Sequence, residues 1–433
     1  MSAQSVISGS SAEAIAASVE RAVAAGTLAP GARLPSVRAL ASQLDVSPTT
    51  VAYALAELRR RGVVVSRPRS GTRVADRPPL SSSRAPAPVP AGTRDLALGN
   101  PDPALLPEWP ALAPVQRLYG ESPVDPELAA LACGAFVADG VSAERVVVVN
   151  GALDGIERVL AAQLSPGDLL AVEDPGWPGV LDLARALGLR LAPVAVDDHG
   201  MRPEALAAAL HAGARGAIIT PRGHNPSGAA LDTDRAATLR ALLADVFVVE
   251  DDHLGPVAGV PYRSAAGASG RWAVVRSVSK WLGPDLRCAV LAGDALTLAR
   301  VEGRLSLGPG WVSGILQRLT ARLWADDDVA AVVHQAADVY TARRTALLDA
   351  LAAHGLGAHG RSGLNVWIPV PDEDAAIRAL LTHGVSVAAG APFRLETGPA
   401  IRVTTATLRS DEAPPLAAAL AAAVDPPRRT RAA

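Results

Sequence analysis

Between residues 145 and 293 the chain repeats one arrangement, a short run of β-branched apolar residues followed by an Ala/Leu-rich stretch. RVVVVN (145–150), DLLAVED (168–174), RLAPVAV (190–196), GAIIT (216–220), VFVVED (246–251), WAVVRS (272–277) and CAVLAG (288–293) are the strand candidates. Helical patterns at 152–163, 178–187, 203–212 and 232–244 fall between most of them. A strand without an alternating polar face has to be covered on both sides, and strands alternating with helices pair in parallel. The pattern therefore predicts an α/β domain, a mainly parallel sheet between helices, with ligands at the carboxyl ends of its strands. Further strands near 363–369 and 400–405 predict a small α+β subdomain over roughly 325–425.

At 433 residues the chain is too long for one ordinary domain. Residues 77–94, RPPLSSSRAPAPVPAGTR, hold five prolines and almost no large apolar side chain. Such a segment cannot bury enough surface to fold and reads as a semi-stiff linker. It divides a domain over 8–76 from a larger one over 95–425. Neither a basic–apolar leader nor a run of about 18–20 apolar residues occurs, which points to a cytoplasmic protein. Cys133 and Cys288 are too few for a disulfide framework or a zinc site, and no metal is expected. The net charge of −2 conceals a local excess of arginine between Glu57 and Arg77. A nucleic-acid surface is compatible with that distribution.

In GARLPSVRALASQLDVSPTTVAYALAELRRRGVVVSRPRSGTRVA, Ser36 can cap a helix running to about Leu44. A tight turn at Asp45–Val46 follows, then Ser47 as a second cap with Pro48 at the first helical position. Val51, Leu55 and Leu58 form the buried stripe of that helix, leaving Thr49, Thr50 and Tyr53 outside. Two strands around RPRSG make a wing. This stretch resembles the GntR family of winged-helix regulators, and the resemblance implies double-stranded DNA as partner. It places Arg38, Ser47, Thr49 and Thr50 at DNA with Gly71 of the wing entering a groove, while the residues themselves add Tyr53 as a reader and Arg67, Arg69 and Gly71 as close to phosphates. Affinity should then fall steeply with ionic strength.

SVSKWLGPDLR (277–287) contains the only lysine in a chain with 41 Lys plus Arg. Arginine stays charged and cannot act as a nucleophile, whereas a lysine amine can condense with an aldehyde once deprotonated. Lysine kept where every other cationic side chain is arginine points to that chemistry. The surrounding motifs resemble fold-type I aminotransferases. The resemblance implies pyridoxal 5'-phosphate as cofactor, with Lys280 as its Schiff-base (aldimine) lysine. It puts Ser277 and Arg287 on the cofactor phosphate, with Gly151 and Ala152 at a helix N-terminus. Asn225 of TPRGHNPSG falls beside the phenolic oxygen, Asp251 of VVEDDH on the pyridine nitrogen, and Trp177 against the ring. Arg402 matches the arginine that grips an amino acid's carboxylate, and Tyr119 the tyrosine that reaches a neighbouring subunit's phosphate. His253 stands where the family usually has tyrosine, and Ala152 where it has Ser or Thr.

A GntR-type reader joined by a proline-rich linker to such a domain is the layout of the MocR/GabR regulators. The resemblance implies a pyridoxal phosphate-dependent transcriptional regulator, a homodimer in which domains could be swapped. Its effector would be an amino compound or pyridoxal phosphate itself. A working aminotransferase that carries a DNA reader is the alternative, and the residues alone leave both open.

Overall fold

The computed structural model describes residues 6–60, 62–67, 71–75, 90–111, 117–267 and 270–424. The chain divides into two compact units, and residues 76–89, which take in most of the proline-rich segment, lie outside the described residues.

The N-terminal unit contains α1 (Ala12–Ala24), α2 (Val37–Leu44) and α3 (Pro48–Arg60), then β1 (Val64–Arg67) and β2 (Gly71–Val74). Its local signals act as expected. Ser36 Oγ accepts from Ala39 N at 3.2 Å, and Asp45 in the left-handed region (φ 53°) closes α2. Ser47 Oγ accepts from Thr50 N at 3.0 Å and lies 2.8 Å from Thr50 Oγ1. Leu40, Val51, Leu55 and Leu58 join Ile15 and Val19 in a core that also takes Val64 and Val74 from the antiparallel β1–β2 ribbon. Removing the cap with Ser47→Ala should cost about 1 kcal/mol of stability. A thermal melt of the full chain that resolves this unit's transition checks it.

After residue 90 comes β3 (Arg94–Asp95). The large sheet then uses β4 (Val147–Val149), β5 (Leu169–Asp174), β6 (Arg190–Asp197), β7 (Gly200–Met201), β8 (Ala214–Ile219), β9 (Phe247–Asp252), β10 (Trp272–Ser277) and β11 (Ala289–Gly293). Their order is β4-β11-β10-β9-β8-β5-β6-β7. β8, β9 and β10 run parallel, while β11 is antiparallel to both β10 and β4. β4 therefore points the same way as β10. The helices between and after the strands are α4 (Pro126–Ala138), α5 (Ala152–Gln163), α6 (Pro178–Ala186), α7 (Pro203–His211), α8 (Thr233–Leu242), α9 (Ala295–Ser306), α10 (Gly314–Ala325) and α11 (Asp327–Ala353).

Successive strand residues face opposite sides of the sheet. Val148, Val274 and Val290 pack with Phe136 of α4 and with Tyr340 of α11. On the other face α5 lies close, because Gly155 has no side chain. A Cβ there would stand 3.0 Å from both Val149 and Val275. This close approach fixes the start of α5 beside the ends of β4 and β10.

The small part holds β12 (Asn365–Pro369), α12 (Glu373–Thr382), β13 (Val385–Ser386), β14 (Ala388–Ala389), β15 (Ala400–Thr404) and α13 (Ala413–Val424). β15 pairs antiparallel with β12 and β14, and β13 pairs with β3. Its core unites Leu347 and Leu351 of α11 with Val366, Ile401, Val403 and Leu416, and it takes in Leu96 from far upstream. Arg94, at the end of the expected linker, thus belongs to a strand, and α11 is shared between the two cores.

Candidate functional site

The carboxyl ends of the strands carry the expected cofactor residues. Gly151 follows β4, Trp177 follows β5, Asn225 follows β8, Asp251 is the penultimate residue of β9 with His253 just after the strand, and Lys280 follows β10. Parallel β8, β9 and β10 bring three of these turns to one edge of the sheet.

Asp251 is buried, and its Oδ1 has no hydrogen-bond partner among the described residues. Burial, then the neighbouring charges of Asp252 and Glu173, push its carboxyl up to about 8. His253 Nδ1 sits 3.6 Å from Asp251 Oδ2, too long for a hydrogen bond, and is likewise buried without a partner. Burial, then the charge of Lys280, lower His253 to about 3, so its imidazole is neutral at ordinary pH. Burial keeps both groups largely uncharged at neutral pH.

Lys280 donates to Gly99 O. Arg402 donates to Ala97 O, and its Nη1 donates to Asn225 Oδ1 at 2.8 Å. The two functional cations therefore hold carbonyls two residues apart on one segment. The Arg402 guanidinium lies over the Phe393 ring, 4.8 Å from its centroid, and its Nε has no partner. Burial lowers Arg402 to about 10, with the charge of Asp95 opposing. Arg402 is thus a desolvated cation whose hydrogen bonds go to neutral oxygens.

At the start of α5, Gly151 has φ 88°. A Cβ on it would stand 3.1 Å from Arg287 Nη2. Arg287, itself left-handed at φ 44°, reaches Asn150 O with Nη2 at 3.4 Å. A guanidinium over the first residues of a 12-residue helix makes an anion cradle. Ala152 begins that helix and brings no side-chain hydroxyl, so the donors there are backbone N–H groups. Ser277 is buried, with its Oγ 2.6 Å from Ser279 Oγ in the turn that leads to Lys280. Trp177 is half-buried with its ring against Gly179, where a Cβ would come within 2.8 Å of it. Tyr119 stands apart: its ring is 93 % exposed and meets Trp311 edge-on at 5.5 Å.

In the reader, Arg38, Thr49 and Tyr53 are exposed, and Thr50 is half-buried beside Ser47. Gly71 opens β2 in the left-handed region at φ 77°. Arg67 closes β1, while Arg69 lies outside the described residues.

Several supporting residues escaped sequence reasoning. Asp252 receives Arg222 bidentately at 2.8 and 2.9 Å and Arg276 Nε at 2.6 Å. Burial alone would raise Asp252, but the two arginines overcome it and hold the carboxylate well below its usual range. His224, next to Asn225, is fully buried with Nδ1 2.7 Å from Ser227 Oγ and Nε2 3.3 Å from Glu173 Oε2. The only hint in the sequence was three consecutive acids, Glu250–Asp252, ending an apolar strand.

These features suit an aromatic phosphate that bears an aldehyde and a basic ring nitrogen. A lysine amine, an unpartnered buried carboxyl and an anion cradle sit at one sheet edge, as in fold-type I pyridoxal phosphate proteins. The family model "Aminotransferase class I and II" matches residues 116–420, and "Bacterial regulatory proteins, gntR family" matches residues 11–74. The chain is 38 % identical to the vitamin B6 salvage pathway transcriptional repressor PtsJ of Salmonella typhimurium, covering 95 % of this chain and 98 % of that protein. It is 29 % identical to the pyridoxine biosynthesis regulator PdxR of Corynebacterium glutamicum, over 70 % of this chain and 74 % of that one. A solved kynurenine aminotransferase from Pyrococcus horikoshii shares the fold, with a TM-score of 0.69 and 20 % identity over 77 % of this chain and 91 % of that chain. The chain belongs to the GntR-type regulators fused to a class I and II aminotransferase domain. It is a DNA-binding transcriptional regulator, and its cofactor is pyridoxal 5'-phosphate.

The burial of Asp251 gives the fold a pH dependence of definite sign. Its folded value, about 8, lies above the unfolded 3.8, so the folded state keeps a proton that the unfolded chain gives up. Stability is therefore lost as pH rises through this window. His253, lowered from 6.5 to about 3, acts in the opposite sense between those values. Asp251 consequently acts without His253 between pH 6.5 and 8. Asp251→Asn should raise the melting temperature of cofactor-free protein at pH 8 and flatten its decline above pH 6.5. It should also weaken cofactor binding, and a melting series with and without pyridoxal phosphate checks both.

Proposed function

We propose that this chain senses vitamin B6 status through Lys280 and passes the result to its DNA reader by way of the segment Asp95–Gly99. The contacts of Lys280 with Gly99 O and of Arg402 with Ala97 O carry this reading. That segment directly follows the proline-rich linker, and β3 at its start pairs with β13. When bound, pyridoxal phosphate supplies an aldehyde for an amine and a ring that withdraws electrons. Lys280 provides the amine, and engaging it there means leaving Gly99 O. Arg287 and the start of α5 would hold the phosphate, and Asp251 would serve the ring nitrogen. The segment leading to the linker thereby loses one of its two cationic ties. Similarity to the two vitamin B6 regulators supports the cofactor itself as effector.

The partly unsatisfied Arg402 favours a second reading, in which the effector is an amino compound with a carboxylate. Arg402 would then exchange Asn225 Oδ1 and Ala97 O for that carboxylate. Both ties on Asp95–Gly99 would be released together. The protein acts as a homodimer in this proposal, with exposed Tyr119 directed to the second copy. A mobility shift on the gene's own upstream region, with pyridoxal phosphate alone and then with a panel of amino acids, separates the effectors. Sustained conversion of an amino acid and a 2-oxo acid, at rates usual for aminotransferases, would instead establish a working enzyme.

A further inference from the structure

The wing has a third edge beyond its two expected strands. Gly31 N donates to Val74 O at 3.1 Å, Val74 N to Ala32 O at 2.8 Å, and Leu34 N to Thr72 O at 2.8 Å. Residues 31–34 thus run antiparallel beside β2, and the register sets Arg33 directly opposite Arg73. Like charges directly opposite each other weaken an antiparallel pair. The two side chains take different directions. Arg73 Nη1 donates to Gly31 O at 2.9 Å. Arg33 lays its guanidinium against Gly71, with Nε and Nη2 3.3 and 3.4 Å from the place of a Cβ. Glycine is therefore needed at 71 for its φ of 77° and for the room that Arg33 takes. Arg33 is exposed, and among the described residues neither arginine pairs with a carboxylate. Two neighbouring cations on the wing, neither paired with a carboxylate among the described residues, suit a polyanion.

We infer that Arg33 is a phosphate-contacting residue of the DNA interface, carried into place by the wing strand that begins at Gly71. The inference rests on the reader binding duplex DNA. A guanidinium matches phosphate oxygens bidentately and keeps its charge at any physiological pH. A backbone contact of this kind adds affinity without reading sequence. Arg73, tied to Gly31 O, is not required for it.

The test uses full-length protein loaded with cofactor, a labelled duplex from the gene's upstream region, and a scrambled duplex of equal length. Affinity is measured across a salt series. Arg33→Ala should weaken both duplexes severalfold by a similar factor and reduce the slope of log affinity against log salt by about one unit. Arg33→Lys should keep the slope, which distinguishes charge from packing, and Arg33→Gln should lose it. Arg73→Ala should leave the slope unchanged. Should Arg33→Ala disturb folding of the wing, the Lys and Gln variants still decide the matter. An unchanged slope in Arg33→Gln would overturn the inference while DNA binding by the unmodified chain stood. Failure of the unmodified chain to bind either duplex would instead remove the DNA reading itself.

Discussion

Lys280→Arg is expected to abolish covalent capture of pyridoxal phosphate while leaving DNA binding by the reader in place. Arginine keeps the positive charge that Lys280 directs at Gly99 O, yet its guanidinium cannot condense with an aldehyde. Because Lys280 is the only lysine, borohydride reduction of the loaded protein should fix a pyridoxyl group on one tryptic peptide. No such peptide should appear in the variant. Its reader, with a core of its own around Leu40, Val51 and Leu58, should still shift an upstream duplex. The same pyridoxyl yield from both proteins would mean that the cofactor is held elsewhere. Any chain amine other than the N-terminus is ruled out by composition, so the result is unambiguous.

The second large effect is expected on stability. Asp252 sits between Arg222 and Arg276, all three buried, and Arg276 also reaches Asp139 with Nη2 at 2.6 Å. Arg276 further lies over the Phe136 ring, 4.6 Å from its centroid, which ties the network to α4. Removing one partner of a buried ion pair strands the other without water, at a cost of roughly 3–5 kcal/mol. Asp252→Ala leaves Arg222 without a carboxylate and Arg276 with Asp139 alone, and should fall within that range. Denaturant unfolding of the large domain measures it. The carboxylate next door is affected too. Asp252 contributes to the raised value of Asp251, so its loss should lower the Asp251 titration in whatever folded fraction remains.

Much of this architecture can be read from the chain because local chemistry decides it. The β-branched runs fell within a residue or two of the observed strands, and the helix from 152 to 163 has the bounds its pattern suggested. Ser36, Asp45, Ser47 and Pro48 are cap and turn signals that act within four residues, so α2 and α3 were legible as well. What stayed hidden depends on partners distant in sequence. Nothing near Leu96 says that it enters a core with Leu347 and Ile401, or that Arg94 pairs across to β13. The shared role of α11 was invisible for the same reason, since its two halves carry similar residues but face different cores.

The candidate site divides along the same line. Lys280 stood out as the only lysine, and the family resemblance picked out Asn225 and Asp251 from the motifs around them. Asp252 directly follows Asp251, and the strand's alternation puts it on the opposite face, against Arg222 and Arg276. His253 stands where the family usually has tyrosine, and its Nδ1 lies 3.6 Å from Asp251 Oδ2. Arg33 was unremarkable as one arginine among many, and only the pairing of residues 31–34 with β2 brought it to the wing.

The central claim is that cofactor at Lys280 governs the reader. Affinity for the upstream duplex, measured on cofactor-free and pyridoxal phosphate-loaded protein and on Lys280→Arg, tests it most directly. A clear change on loading the unmodified chain, absent in Lys280→Arg, is expected. Superimposable binding curves for loaded and cofactor-free protein would contradict it.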